Sequence, residues 1–298
     1  MKHKIRAAGA VLCIASFLWT GAAQDSAGPV RQLDSPAGAS SSGPNLFAAQ
    51  DGRIFLSWVE KRGENRHVLR FAVRTRSGWS EARTIVGGES WFVNWADFPS
   101  VFALADRVLA AHWLVKSGAG TYAYNVNLSI STDDGSTWSK PVTPHRDNTQ
   151  TEHGFVSLFS SPGNRVGAIW LDGRNFASKD HSHGQGQSKE VMTLRHTTIS
   201  AGGELSGEVV LDSRVCECCQ TSAAQTSEGA VVVYRDRSEK EVRDISIVRF
   251  SRGRWTEPEI VHGDGWEIEG CPVNGPSVAA SGRRVAVAWF TAAKDTPR

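Results

Sequence analysis

An all-β fold in which short antiparallel strands repeat around an axis, a β-propeller, is predicted for this 298-residue chain by three observations. Long helical periodicity is scarce, whereas short alternating runs rich in Val, Ile, Phe and Trp recur between Gly, Ser, Asp and Pro. A strand, turn and strand ending in an aromatic forms a repeat: LFAAQDGRIFLSW closes at Trp58, SVFALADRVLAAHW at Trp113, SLFSSPGNRVGAIW at Trp170, SAAQTSEGAVVVY at Tyr234 and SVAASGRRVAVAW at Trp289, at spacings of 55, 57, 64 and 55 residues. Between these lies a second repeat, GWSEARTIV from Gly78, TWSKPVTP from Thr137, ELSGEVVLD from Glu204 and RWTEPEIV from Arg254, preceded by a third strand such as HVLRFAVRT or DISIVRFS. Four strands per unit, at roughly 50 residues each, is radial repetition. A β-sandwich also has regular short strands but does not repeat its sequence.

The first residues read as a secretory signal peptide. Lys2, Lys4 and Arg6 precede an apolar run from Ala7 to Trp19, and Gly21, Ala22 and Ala23 supply the small residues of a cleavage site after Ala23. The run falls short of the roughly 20 residues a bilayer span needs. Residues 24–298 are therefore expected to be exported, periplasmic or secreted, with no membrane span after cleavage; Cys13 leaves with the peptide. Cleavage removes three of the 33 basic residues and none of the 31 acidic ones, leaving 30 against 31. A near-neutral chain without a basic run gives no electrostatic case for nucleic acid. Four cysteines remain in a compartment where disulfides persist.

The repeats mark four complete units, about 43–88, 92–147, 152–212 and 216–262, and half of a fifth from Cys271. In the second unit Ser131, Asp133, Gly135, Thr137 and Trp138 spell S-x-D-x-G-x-T-W, the Asp box, and resemble the BNR repeats of the sialidase superfamily. Asp and Gly suit a tight hairpin and Trp138 suits packing between sheets. The resemblance implies a six-bladed sialidase-like propeller, C-terminally incomplete with about four and a half blades present, and a structural place for the box on the outer rim. Residues 29–34, similar to the outer strand Val209–Asp212, are expected to close the ring. The family's mechanism would call for an arginine triad, an aspartate acid/base and a tyrosine nucleophile activated by a glutamate; Arg31, in VRQL, does not match the family's first arginine motif.

In such a blade the segment entering the inner strand and the turn leaving the second strand share one face, which in this superfamily holds the binding funnel. The entering segments are NWADFP (94–99), TEHGFV (151–156), CECCQT (216–221) and CPVNGP (271–276). The leaving segments carry Asp172, Arg174, Arg235, Asp236 and Arg237, and a long polar loop with His181 and His183 follows Asp172. Candidate ligand contacts are Trp95, His153, Arg174, Arg235, Asp236, Arg237 and Asn274, for a glycan or small anionic molecule, because guanidinium forks hold carboxylates at two points. The same arginines, with Arg243, could instead pair with Asp172, Asp236 and Asp244 and tie loops together. Asp97 and Asp172 are the candidate acid/base carboxylates of a glycoside hydrolase. Cys216, Cys218, Cys219 and Cys271 admit a disulfide across a blade boundary, Cys271 bonding to Cys216 or Cys218, or a soft copper or zinc site completed by His153, or free thiols.

Overall fold

The computed structural model describes residues 30, 32–105, 107–177 and 191–298; the signal-peptide residues, Arg31, His181 and His183 lie outside them. The chain from Ser35 onward forms one unit. Its first sheet is the meander β1 (Ser41–Ala48), β2 (Ile54–Lys61), β3 (Arg66–Val73) and β4 (Arg83–Glu89). The second contains β5 (Ser100–Ala105), β6 (Val108–Lys116) and β7 (Tyr124–Ser131), and the third β8 (His153–Ser161), β9 (Arg165–Asp172), β10 (Met192–Ile199) and β11 (Val209–Val215). The fourth runs β12 (Ser222–Thr226), β13 (Gly229–Arg235), β14 (Ile245–Ser251), β15 (Arg254–Trp255) and β16 (Glu259–His262), and a hairpin of β17 (Ser277–Ser281) and β18 (Arg284–Ala288) follows. Every pairing between these strands is antiparallel, and an isolated parallel bridge joins Tyr124 to Glu152. The first strands abut in succession, β1 on β5, β5 on β8, β8 on β12 and β12 on β17, which is the blade order of a propeller.

Two departures from four strands per unit have one cause. The fourth strand of the second sheet is reduced to a single bridge, Leu128 to Val142, because Pro141 and Pro144 flank Val142 and have no N–H to continue a ladder. Pro258 likewise divides the outer edge of the fourth sheet into β15 and β16. The expected closing strand at 29–34 is not seen: residues 30 and 32–34 form no strand.

The repeated aromatics are the centre of the packing. Trp58, Trp113, Trp170 and Tyr234 are buried, and the apolar clusters join the facing sides of adjacent sheets. A buried indole or phenol needs an acceptor for its hydrogen. Trp58 Nε1 donates to Glu60 at 2.9 Å, Trp170 Nε1 to Asp172 at 2.7 Å, Tyr234 Oη to Asp212 at 2.6 Å and Trp289 Nε1 to Asp264 at 2.7 Å. In β2 and β9 the acceptor lies two residues beyond the aromatic, on the same face of the strand.

The Asp box lies at the opposite end of β7 from Tyr124. Asp133 accepts from Ser131 Oγ at 2.8 Å and from Thr137 N and Oγ1 at 2.8 and 2.6 Å, while Arg53 pairs with Asp134 at 2.6 Å and ties the box to the first sheet. Trp138 meets Phe71 edge-on at 6.2 Å. Gly135 has φ +82°, and a Cβ there would come within 2.5 Å of the Phe71 ring. Gly135→Ala is thus expected to cost about 2–4 kcal/mol in denaturant unfolding, from the left-handed backbone and from overpacking. The hydroxyl and N–H of Thr137, then the Ser131 hydroxyl, hold the Asp133 carboxyl well below the usual carboxylate range. A depressed carboxyl contributes stability above its unfolded value, near pH 4, and loses it as pH falls. Asp133→Ala should therefore lower Tm at neutral pH, with the gap from wild type narrowing below about pH 4.

Candidate functional site

A channel of about 720 Å³ runs between β1, β5, β8, β12 and β17, and Asp97, Phe155, Gln220 and Gly275 line its end at the entering segments. The loop before β5 places Trp95 in solvent, 74% exposed, and turns back so that Asp97, two residues on, is only 2% exposed. Asn94 Oδ1 fixes that turn by accepting from Ala96 N at 2.7 Å. An exposed indole beside a buried carboxyl is a suitable platform for the apolar face of a sugar ring.

Asp97 is held by the start of the third sheet. Its Oδ1 accepts from Phe155 N at 2.9 Å. Phe155 has φ +54°, and β8 shifts register against β9 between Gly154 and Ser157, so local strain and a bulge together direct that N–H at Asp97. Gly154 is required next to it, since a Cβ there would lie 1.9 Å from Asp97 Oδ2. Tyr124 Oη lies 2.9 Å from Asp97 Oδ2 and 2.8 Å from Glu152 Oε1. A phenol has one hydrogen and cannot donate to both. The second contact is a hydrogen bond only when one carboxyl carries a proton and donates to the phenolic oxygen. Burial pushes Asp97 up to about 7 and Glu152 up to about 8, the charge of Asp97 adding to the shift at Glu152. Burial and the two neighbouring carboxyls also raise the Tyr124 phenol.

Asp172, by contrast, is fully engaged. Besides the Trp170 indole it accepts from Arg174 Nε and Nη2, both at 2.7 Å, and burial is outweighed by these partners, so the carboxyl is held below its ordinary value. Arg174 also reaches Glu208 at 2.8 Å and Asp147 at 3.4 Å. Asp147 in turn takes hydrogen bonds from His145 and His153, each at 3.2 Å, whose rings stack 3.7 Å apart. Against its burial, these partners and Thr149 hold Asp147 well below the carboxylate range. The Nδ1 of His153 faces the backbone oxygens of Tyr124 and Thr151, both at 3.2 Å. His145, Asp147 and His153 have ligand-type atoms close together, but each is already hydrogen-bonded within the protein.

The remaining predicted residues lie around the cysteines. Arg237 pairs with Glu217 and with Glu241 at 2.8 Å, and Arg243 with Glu217 at 2.8 Å and Glu241 at 2.9 Å. Burial and the Asp212 charge raise Asp236 to about 6, and Asp236 caps Arg237 N at 2.7 Å. Asp244 accepts from the N–H groups of Gly265 and Trp266 at 2.9 and 3.0 Å. Arg235 donates to Asn274 O and Oδ1, each at 3.1 Å, to Arg243 O at 2.6 Å and to Phe290 O at 2.9 Å, joining the fourth sheet to the segment before β17. Cys218 and Cys271 form a disulfide with Cα atoms 6.0 Å apart, while Cys216 and Cys219 are buried thiols. His153 belongs to the His145 and Asp147 group and not to the sulfur group.

Tyr124 and Glu152 are absent from the residues selected by sequence. The repeat contained a signal for the second: counted back from the strand-opening serines Ser100, Ser157 and Ser222, Glu152 occupies the position of Trp95 and Glu217.

No family model matches the sequence, and no curated protein matches it. Solved structures do. A Penicillium chrysogenum α-L-arabinanase complexed with arabinobiose superposes with a TM-score of 0.51 at 13% identity, over 84% of this chain and 77% of that one. A GH93 α-L-arabinofuranosidase of Fusarium graminearum with arabinobiose gives 0.51 at 14%, over 85% and 77%. A Dyadobacter fermentans protein of unknown function gives 0.53 at 14%, over 84% and 75%. Likeness at these identities establishes a shared fold.

Asp97 and Glu152 hold their protons more tightly folded than unfolded, where carboxyls ionise near pH 4. Their contribution is complete below about pH 4 and is lost as pH rises through about 7–8, at up to about 1.4 kcal/mol per pH unit for each group. Thermal melts should show Tm falling across this window, and Asp97→Asn should flatten the fall.

Proposed function

We propose that this chain is an exported sialidase-like propeller that binds a glycan at its central mouth, where Asp97, Tyr124 and Glu152 carry the proton transfers of glycoside cleavage. One observation carries the reading: a single phenolic oxygen bridges two carboxyls at the end of the central channel. A group that stores one proton between two oxygens near neutral pH is suited to general acid and base work. The contacts of 2.9 and 2.8 Å to one oxygen hold the carboxyls closer than the roughly 6.5–9.5 Å of an inverting mechanism, which favours retention, with one carboxyl as acid/base and the other, ionised, as nucleophile. Trp95 supplies the stacking surface.

The Asp box supports the superfamily and a six-bladed ring, and the solved relatives titled as arabinanase and arabinofuranosidase support a glycan ligand. The trio contains the aspartate, tyrosine and glutamate that a sialidase employs, with one physical difference. A fully buried phenol raised by two carboxyls does not ionise to a nucleophile, so Tyr124 relays and positions the shared proton. The described candidates Arg174, Arg235, Arg237 and Arg243 are engaged by the protein's own carboxylates, carbonyls and sulfur. The proposed sugar is therefore uncharged, recognised through its hydroxyls.

A panel of chromogenic neutral glycosides and sialosides tests this. Turnover of a neutral glycoside is expected, with Asp97→Asn and Glu152→Gln each lowering kcat about 10²–10⁴-fold and Trp95→Ala raising KM. Turnover confined to sialosides would overturn the neutral ligand; no turnover and no glycan binding would overturn the reading.

A further inference from the structure

The sulfur group next to the mouth has features that a disulfide staple does not require. Cys216 and Cys219, each 1% exposed, place their sulfurs 3.2 Å apart, and Cys218 Sγ lies 3.8 and 4.0 Å from them. Cys271, bonded to Cys218, brings a fourth sulfur from the next segment. Four sulfurs around one metal, with bonds of about 2.3 Å at tetrahedral angles, stand about 3.8 Å from one another. The three distances bracket that value. All four donors are soft, and the nearest carboxylate in sequence, Glu217, is taken by Arg237 and Arg243.

The charges around the sulfurs point the same way. Arg243 Nη1 donates to Cys216 Sγ at 3.3 Å. Arg235 is 1% exposed, and among the described residues it has no carboxylate partner; its hydrogen bonds go to carbonyl and amide oxygens. A guanidinium buried without an anion is costly. The hydrogen bond with Cys216 and burial raise the Cys219 thiol in the metal-free protein, and the Arg235 charge opposes them. With neutral thiols or a second disulfide that cation has only oxygen acceptors and the Trp266 ring, 4.9 Å away, to offset it, whereas thiolates bound to a metal carry a full negative charge beside it.

We propose that Cys216, Cys218, Cys219 and Cys271 form a binding site for a thiophilic d¹⁰ cation, Zn(II) or Cu(I), with Arg235 and Arg243 as its outer-sphere counter-charges. The Cys218–Cys271 disulfide is the oxidised form of the site. A dithiol reductant opens it by giving two electrons and two protons to the S–S bond, becoming a disulfide itself; the cation then displaces the protons of the four thiols. The site fixes the mouth mechanically. Gln220, one residue past Cys219, donates to Ala96 O in the loop of Trp95 and Asp97 and accepts from Gly275 N at 3.2 Å.

The test uses the full chain, reduced by a dithiol without chelator and kept anaerobic, with Zn(II) added in one arm and Cu(I) in the other. Native mass spectrometry is expected to show one ion per chain, with all four cysteines protected from alkylation. Arg235→Gln, which retains every sulfur, should weaken binding about 10–100-fold, the range for outer-sphere partners. Cys271→Ser should lower affinity and expose the other three thiols. Protection of Cys216 and Cys219 alone would overturn the four-sulfur site, as would alkylation of all four at the metal-free rate with either ion. Wild-type protection decides the matter even where a variant fails to fold.

Discussion

Each unit carries a Trp or Tyr in its second strand, whose polar hydrogen needs an acceptor when buried, and in four of the five units a carboxylate is that acceptor. The four are Glu60, Asp172, Asp212 and Asp264. This constraint lets the repeat bury Trp58, Trp170 and Tyr234 between sheets without leaving a donor unpaired. It also divides the acidic residues of the central face into two sets. Those that accept from the repeat aromatics are engaged, and Glu60, Asp172 and Asp264, which also face cationic side chains, are held below the ordinary carboxylate value. Asp97 and Glu152 instead share one phenol, that of Tyr124 at the start of β7, and burial raises both.

The same division explains the chemistry of the mouth. Asp172 is as buried as Asp97, yet its environment is opposite: an indole N–H and a guanidinium on one, a phenol and a second carboxyl near the other. Burial raises both, and only for Asp172 do donors reverse the effect. Two aspartates of similar depth are therefore shifted in opposite directions.

Much of the fold was legible because periodicity is local. The strand pairs ending at Trp58, Trp113, Trp170, Tyr234 and Trp289 all form, and the Asp box makes the hydrogen bonds its residues suggest. The outer strands were less legible, since Pro141, Pro144 and Pro258 interrupt ladders that the repeat alone would extend. The site was legible only in part. Sequence placed Asp97 and the cysteines on one face, but the partners of Asp97, Tyr124 and Phe155, come from the starts of β7 and β8, and their meeting depends on the bulge at Phe155. Nor does spacing reveal that His153 turns to Asp147 and away from the sulfurs.

The central claim is that Asp97 and Glu152 share a proton through Tyr124 at physiological pH. Carboxyl ¹³C NMR of the labelled chain, titrated from pH 3 to 9 with Asp97→Asn and Glu152→Gln for assignment, measures this directly. The account predicts two carboxyl signals that titrate together above about pH 6, well apart from ordinary carboxyls near 4. Two signals titrating independently near pH 4 would contradict it.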